Sequence, residues 1–317
     1  VKDLNTIDNL DFSYVACGLE LVSDTKLPGL IPSASRSGTP EVQIVQGDVP
    51  TELNPPLENS GPNWQLSENS FLLRAAGVGR FLIRDAKEIV FQPEGDLPPE
   101  ELTAFLTGSV MGLLQHLRGR VVLHASAMLV DGKAVLFCGQ SGTGKSTMAA
   151  ALGRRGYTLL SDDLCALRYS GDGPAMVYPD GRKHKLWEHA IDKLNLKDRK
   201  GDGVRHQIHK FYVEPSSAQT EPAPIAAVYD LREARAMDSF DIEQPNLADA
   251  AMIIRRNAFR PRIMWQLGQK VDYFQATTKI ASNGGVFVLK RPLDFKQIDE
   301  TVEKLEQHWQ DIGLGDQ

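Results

Sequence analysis

The sequence predicts an α/β protein in two unequal parts, and three observations carry that reading. Residues 12–91 are short extended runs between turn signals, whereas from Leu97 apolar residues recur at helical spacing. Beyond that helix, two apolar runs joined by Asp131-Gly132 lead straight into a glycine-rich loop and a helix-compatible stretch. The expected division is a β-rich N-terminal domain over 1–95 and a larger α/β domain over 96–317. The chain has 317 residues, 42% apolar and 24% charged, enough for one sizeable core or two unequal ones. Disordered, collagen-like and coiled-coil classes are excluded.

In the first part, Tyr14–Val22, Glu41–Val45, Phe71–Arg74 and Arg80–Arg84 read as extended. Val42 with Ile44, and Phe81 with Ile83, alternate with period two, as half-buried strands do. Pro28 to Pro62 is rich in Pro, Ser, Gly and Asn, so it predicts loop broken by one strand. Leu102, Phe105, Leu106, Val110, Leu113, Leu114 and Leu117 then recur at three and four, behind Pro98-Pro99-Glu100-Glu101. A helix over 98–118, bridging the two domains, is the expectation. Val121–Val130 and Lys133–Cys138 should pair antiparallel across Asp131-Gly132. A helix over 144–155, a strand over 157–161 and a terminal amphipathic helix within 293–313 complete the reading.

Charge and cysteine content limit the partners. Lys and Arg number 35 and Asp and Glu 41, a net charge of −6, so the whole molecule offers no basic footprint for DNA or RNA. Cys17, Cys138 and Cys165 form no Cys-x-x-Cys pair, which argues against a zinc site or a disulfide framework. No window reaches eighteen apolar residues, and Val1–Asp8 has no apolar signal core. A protein that is neither exported nor membrane-bound, in a reducing cytoplasm, is the expectation.

Gly139-Gln140-Ser141-Gly142-Thr143-Gly144-Lys145-Ser146 fits G-x-x-x-x-G-K-[ST], with the strand Ala134–Cys138 before it and Thr147–Leu152 continuing as helix. Glycines let successive backbone N–H groups turn around phosphate oxygens, and the helix aims its positive end at them. Residues 139–147 are therefore the expected nucleotide site, with Lys145 on the β and γ oxygens and Ser146 on Mg²⁺.

Asp162 and Asp163 end the next predicted strand, which brings them to the carboxyl edge of the sheet beside the loop. There one carboxylate can hold Mg²⁺ through water and the other accept a proton from an attacking hydroxyl. As a bare pair they also read as a solvated turn or helix cap. A two-residue turn at Asp131-Gly132 puts Val130 opposite Lys133, and the same register, unless a bulge intervenes, puts His124 opposite Gly139. The alternative for His124 is a hydrogen-bonded core residue.

From Asp180 to Lys210 nine Lys or Arg stand against five acids, a local excess suited to phosphate or an acidic peptide, or simply to a solvated face. Gly201-Asp202-Gly203 reads as a turn in a mobile lid. Arg255, Arg256, Arg260 and Arg262 form a second basic cluster, one member of which is expected at the transferred phosphoryl group, with no spacing to select which. Trp187 and Trp265 read as packing residues rather than base-stacking ones.

The run from His124 through the 139–146 loop to Asp162-Asp163, forty residues, resembles the catalytic core of the HPr kinase/phosphorylase family. More closely it is similar to the shorter HPr-kinase-related proteins found beside peptide-modification genes, including kinases of lasso-peptide precursors. Weaker similarity extends to Lys185-Leu186-Trp187 and to Gly18–Pro28. The resemblance implies an α/β P-loop kinase domain of the HPr kinase/PEP carboxykinase-like type and an ATP-dependent serine kinase using Mg²⁺. It assigns catalysis to His124, Lys145, Asp162 and Asp163 and metal binding to Ser146 and Asp162, with Glu188 added by rough offset. The implied partners are nucleotide and a peptide or protein carrying an acceptor serine, such as a ribosomally made precursor peptide, and a homo-oligomer is compatible with it. Where bifunctional members have a further glycine-rich stretch, this chain reads Pro179-Asp-Gly-Arg-Lys-His-Lys-Leu-Trp-Glu188, which counts against phosphorolysis, HPr as substrate and the family's hexamer. A small-molecule acceptor such as free serine, or a regulatory protein that binds ATP without transfer, are the alternatives.

Overall fold

Alternating apolar residues in the first part must bury one face of each strand, and they do so in a single eight-stranded sheet. The computed structural model describes residues 10–33, 39–95, 98–205, 208–234 and 240–315; Val1–Asp8 and Leu97, used above, lie outside them. The first sheet contains β1 (Phe12–Ala16), β2 (Leu19–Ser23), β3 (Val42–Gln46), β4 (Asn59–Gly61), β5 (Trp64–Ser67), β6 (Ser70–Ala75), β7 (Gly79–Arg84) and β8 (Glu88–Pro93). Their order is β1-β2-β3-β8-β7-β6-β5-β4. The run Tyr14–Val22 is a hairpin rather than one strand, because Cys17 and Gly18 both adopt positive φ and turn the chain back. The Pro28–Pro62 stretch holds β3 as expected and also the three-residue β4.

The helix expected over 98–118 is α1 (Pro99–Phe105), a π-helical turn (Leu106–Val110) and α2 (Met111–Leu117). Its stripe of Leu102, Leu106, Val110, Leu113 and Leu114 is buried with Phe81, Ile89 and Phe91 of the first sheet. At about 1.5–3 kcal/mol for each buried large apolar side chain, that face anchors the helix to the sheet.

The second sheet is built from β9 (Val121–Leu123), β10 (Ser126–Val130), β11 (Lys133–Cys138), β12 (Thr158–Asp162), β13 (Cys165–Arg168), β14 (Met176–Tyr178), β18 (Ala223–Glu233), β19 (Asp241–Glu243) and β20 (Gly285–Arg291). Across its central part the strands run β12-β10-β11-β18, with β20 parallel to β18. Between β11 and β12 lies α3 (Lys145–Arg154). A small sheet, β15-β17-β16, is formed by β15 (His184–Trp187), β16 (Lys200–Arg205) and β17 (Ile208–Val213), with α4 (Glu188–Lys193) after β15. Gly201-Asp202-Gly203, expected as a turn, lies inside β16, where register shifts on either side of Gly203 absorb the glycines.

Helices α5 (Leu247–Arg256), α6 (Pro261–Gln266), α7 (Lys270–Asn283) and α8 (Ile298–Asp311) complete the chain. α3 and α8 pack on one face of the second sheet, with Met148, Leu152, Val302, Leu305 and Trp309 against Phe137 and Tyr229. α5 and α7 cover the other through Ile253, Ile254, Tyr273 and Ile280. A sheet covered on both faces needs continuous apolar strands, and Ala134–Cys138 and Ile225–Tyr229 are that kind of run. No helix among the described residues is long and apolar enough to cross a membrane. Cys17, Cys138 and Cys165 are buried free thiols.

Candidate functional site

The carboxyl edge of the second sheet collects the residues singled out above. β11 and β18 are parallel, with Cys138 opposite Asp230, and β11 ends where the glycine loop begins. α3 starts at Lys145, directly after Gly144 at φ +86, so the first turn of α3 faces the loop. Both Gly139 and Gly144 adopt positive φ, and both are closely approached. A Cβ at Gly144 would lie 2.6 Å from Arg291 Nη2, and one at Gly139 would lie 2.8 Å from the Leu231 carbonyl. Lys145 folds over the loop and donates to the carbonyls of Gly139 (2.9 Å) and Gln140 (3.2 Å). Burial lowers its pKa.

β10 and β11 pair in the expected register from Val130↔Lys133 to Ser126↔Phe137, but the ladder stops there and does not reach His124. The apolar run 121–130 is two strands, because Leu123 pairs with Cys165 of β13 while Ser126 pairs with Asp162 of β12. His124-Ala125 and Asp163-Leu164 therefore form a break inside one long strand pair. Asp163 sits at φ +97, a region an L-residue occupies only when its surroundings impose it, and its N–H donates to the Ala125 carbonyl.

The break turns His124 and Asp163 into one cavity of about 430 Å³, which the glycine loop and the first turn of α3 also line. His124 Nδ1 lies 3.0 Å from Asp163 Oδ1 and 3.0 Å from the Asp163 carbonyl. Both neighbours are acceptors, so Nδ1 carries a hydrogen directed at Asp163. The Asp163 carboxylate also faces Arg182 (3.4 Å) and Lys185 (3.6 Å). Burial would raise its pKa, but Lys185, His124 and Arg182 outweigh that and hold it well below the usual carboxylate value.

Asp162 is placed differently from its neighbour. It is fully buried, accepting from Ser126 Oγ (2.7 Å) and the Lys185 N–H (2.9 Å), and it is not among the residues lining the cavity. Against the upward push of burial, His184, the Lys185 N–H and Ser126 hold it at about 2. The base and metal roles read for Asp162 meet a carboxylate whose two oxygens are already engaged. Glu188 also stands outside the cavity, paired with Lys200 at 2.7 Å and 3.5 Å from His209.

The basic excess from 182 to 210 separates once folded. Arg182 and Lys185 are buried against Asp163, Lys210 lines the cavity, and Lys183, Lys197 and Lys200 form ion pairs with Glu214, Asp192 and Glu188. Burial, with Arg182 beside it, pushes Lys185 down to about 8. In the later cluster, Arg256 is bound to Asp230, Arg260 reaches Ser109 and Arg255 lies over the Trp265 ring, and none of the four lines the cavity. The late arginine at the site is Arg291, which ends β20, is 3% exposed and donates to the Thr143 carbonyl of the loop (2.9 Å). A basic residue closing the apolar run Gly285–Leu289 was the available signal for it. Trp187 and Trp265, expected as packing residues, are each 46% exposed, and Trp187 lines the cavity.

Asn257 carried no sequence signal, yet it joins the two halves of the site. Its carbonyl accepts from the His124 N–H (2.8 Å), its Oδ1 from the Gly139 N–H (2.9 Å), and its Nδ2 donates to Asp230 Oδ1 (3.1 Å). The side-chain contacts are buried, so Asn257→Ala leaves the Gly139 N–H and an Asp230 oxygen without their partner, and stability is expected to drop by on the order of 2 kcal/mol. Urea unfolding measures this, and an unchanged midpoint would mean that water replaces the amide.

No family model matches the chain. Among curated proteins, 110 residues are 31% identical to the HPr kinase/phosphorylase of Caldicellulosiruptor bescii, covering 33% of this chain and 34% of that protein. A longer match of 230 residues, 27% identical, joins 67% of this chain to 72% of the HPr kinase/phosphorylase of Listeria welshimeri. The chain is similar in sequence to HPr kinase/phosphorylases. The similarity to the first of these relatives spans only about a third of that protein's length. Among solved structures, the Hpr(Ser) kinase/phosphatase from Coxiella burnetii matches 60% of this chain, and 93% of its own, at 13% identity and a TM-score of 0.30.

Proposed function

We propose that this chain is an ATP-dependent kinase that transfers the γ-phosphoryl group to a serine hydroxyl of a peptide or protein, with residues 1–95 as an accessory domain and 96–317 as the catalytic one. The observation that carries the reading is the His124–Asp163 pair facing the same cavity as Lys145 and the first turn of α3. In it, phosphates bind against the N–H groups of 139–147 and Lys145 leaves the loop carbonyls to meet them. Asp163 orients the acceptor hydroxyl together with His124, and the proton passes to this pair as the serine O–P bond forms and the bond from the γ-phosphorus to the bridging oxygen breaks, releasing ADP. Lys185 and Lys210 stabilise charge on the transferred group. Asp162 acts as a positioning residue by fixing Ser126 and the Lys185 backbone.

Among the described residues no three His, Cys, Asp or Glu side chains gather into a metal-ligand group. Mg²⁺ binds through one or two protein oxygens and the phosphates rather than an all-protein cage. Ser146 lines the cavity and would supply one such oxygen. When bound, Mg²⁺ neutralises phosphate charge.

The relatives are named for HPr, so HPr, a short serine-bearing precursor peptide and free serine are the acceptors to compare. With labelled ATP, transfer to HPr or the peptide and not to free serine is expected, and Lys145→Ala should abolish it. Label on free serine alone would replace this reading with a small-molecule kinase. Tight ATP binding without any transfer would replace it with a regulatory protein.

A further inference from the structure

The cavity has two ends of opposite chemistry. In the second sheet the order β12-β10-β11-β18, with β20 on the far side of β18, puts Asp163 and His124 on one flank of the glycine loop and Arg291 on the other. The first flank is charged. Past Arg291 the wall becomes apolar: Leu293, Phe295 and Ile298 line it, and the His189 ring stands edge-on to Phe295 with centroids 5.6 Å apart.

Three features mark this wall as a preformed seat. Leu293 is 43% exposed, although a large apolar side chain at a concave site gains by being covered. The turn carrying Phe295 is held by Asp294, whose Oδ1 accepts from the Lys296 N–H (2.9 Å). Arg291 ties the start of the same segment to the Thr143 carbonyl, so seat and loop keep a fixed separation. Ile298 is buried in the α3–α8 core and forms the floor.

We propose that Leu293, Phe295 and His189 seat the planar base of the nucleoside triphosphate, with the triphosphate running along the glycine loop toward Asp163. This rests on the phosphate-loop reading above. A base stacked on an aromatic ring strengthens binding by roughly tenfold or more, so the seat is separable from phosphate binding by using a ligand that has no base.

Calorimetric titration of the full chain with MgATP and with magnesium tripolyphosphate makes that separation. Phe295→Ala is expected to weaken ATP binding by about tenfold and to leave tripolyphosphate within about twofold. Leu293→Glu, at an exposed position, should act in the same direction, and Phe295→Trp should retain ATP affinity. ATP affinity unchanged in both Phe295→Ala and Leu293→Glu overturns the seat, as does an equal loss for both ligands. If Lys145→Ala leaves both ligands bound as in wild type, the phosphate-loop reading itself falls, an outcome distinct from failure of the seat.

Discussion

In an Asp163→Asn variant, phosphoryl transfer is expected to fall by about 10²- to 10⁴-fold while ATP affinity stays within about threefold of wild type. Asparagine preserves the shape of the side chain but removes the charge that Lys185, His124 and Arg182 surround. It also leaves His124 Nδ1 facing an amide instead of a carboxylate, which loosens the hold on the ring. Single-turnover transfer measured beside equilibrium ATP binding separates the two effects. Transfer within about tenfold of wild type would remove Asp163 from the reaction. Asp162→Asn should behave differently, because Asp162 is buried and accepts from Ser126 and the Lys185 N–H. Its loss is expected to appear first in the unfolding midpoint.

Stability should decline as pH rises through about 7, and Asp180 is the cause. Asp180 is 1% exposed and accepts from the N–H groups of Asp162 and Arg182, and burial pushes its carboxyl up to about 7. A carboxyl whose folded pKa lies above its unfolded value binds more protons in the native state. Its contribution is complete below the ordinary carboxylate range and is lost as pH rises through the folded pKa, at about 1.4 kcal/mol per pH unit. Between pH 5 and pH 8 the expected loss is on the order of 3 kcal/mol. Asp162, lowered to about 2, has the opposite sign, and its contribution disappears as pH falls toward that value. Unfolding midpoints from pH 2 to pH 9 test both limbs. In Asp180→Asn the fall toward alkaline pH should flatten; an equally steep fall in the variant would assign it to another group.

The local elements were legible because they depend on near neighbours. Asp131-Gly132 specified the hairpin and its register as far as Ser126, and the glycine loop announced α3. The break at His124-Ala125 was not legible. The run 121–130 is uniformly suited to one strand, and only pairing with β13 on one side and β12 on the other divides it. Asp162 and Asp163 were equivalent as letters. They separated when positive φ at Asp163 turned one carboxylate into the cavity and left the other under Ser126.

By itself the sequence determined the strand–loop–helix unit, the β-rich first part and the set of residues from which a site would be assembled, since period, turn chemistry and glycine placement act over a few residues. Tertiary structure alone decided which of them meet. Arg291 and Asn257 reach the loop from 152 and 118 positions away from Gly139, through the order of strands at the carboxyl edge. Glu188, adjacent in sequence to the cavity-lining Trp187 and His189, is held outside it by Lys200. Contacts of that range follow from sheet order and burial, which no local spacing encodes.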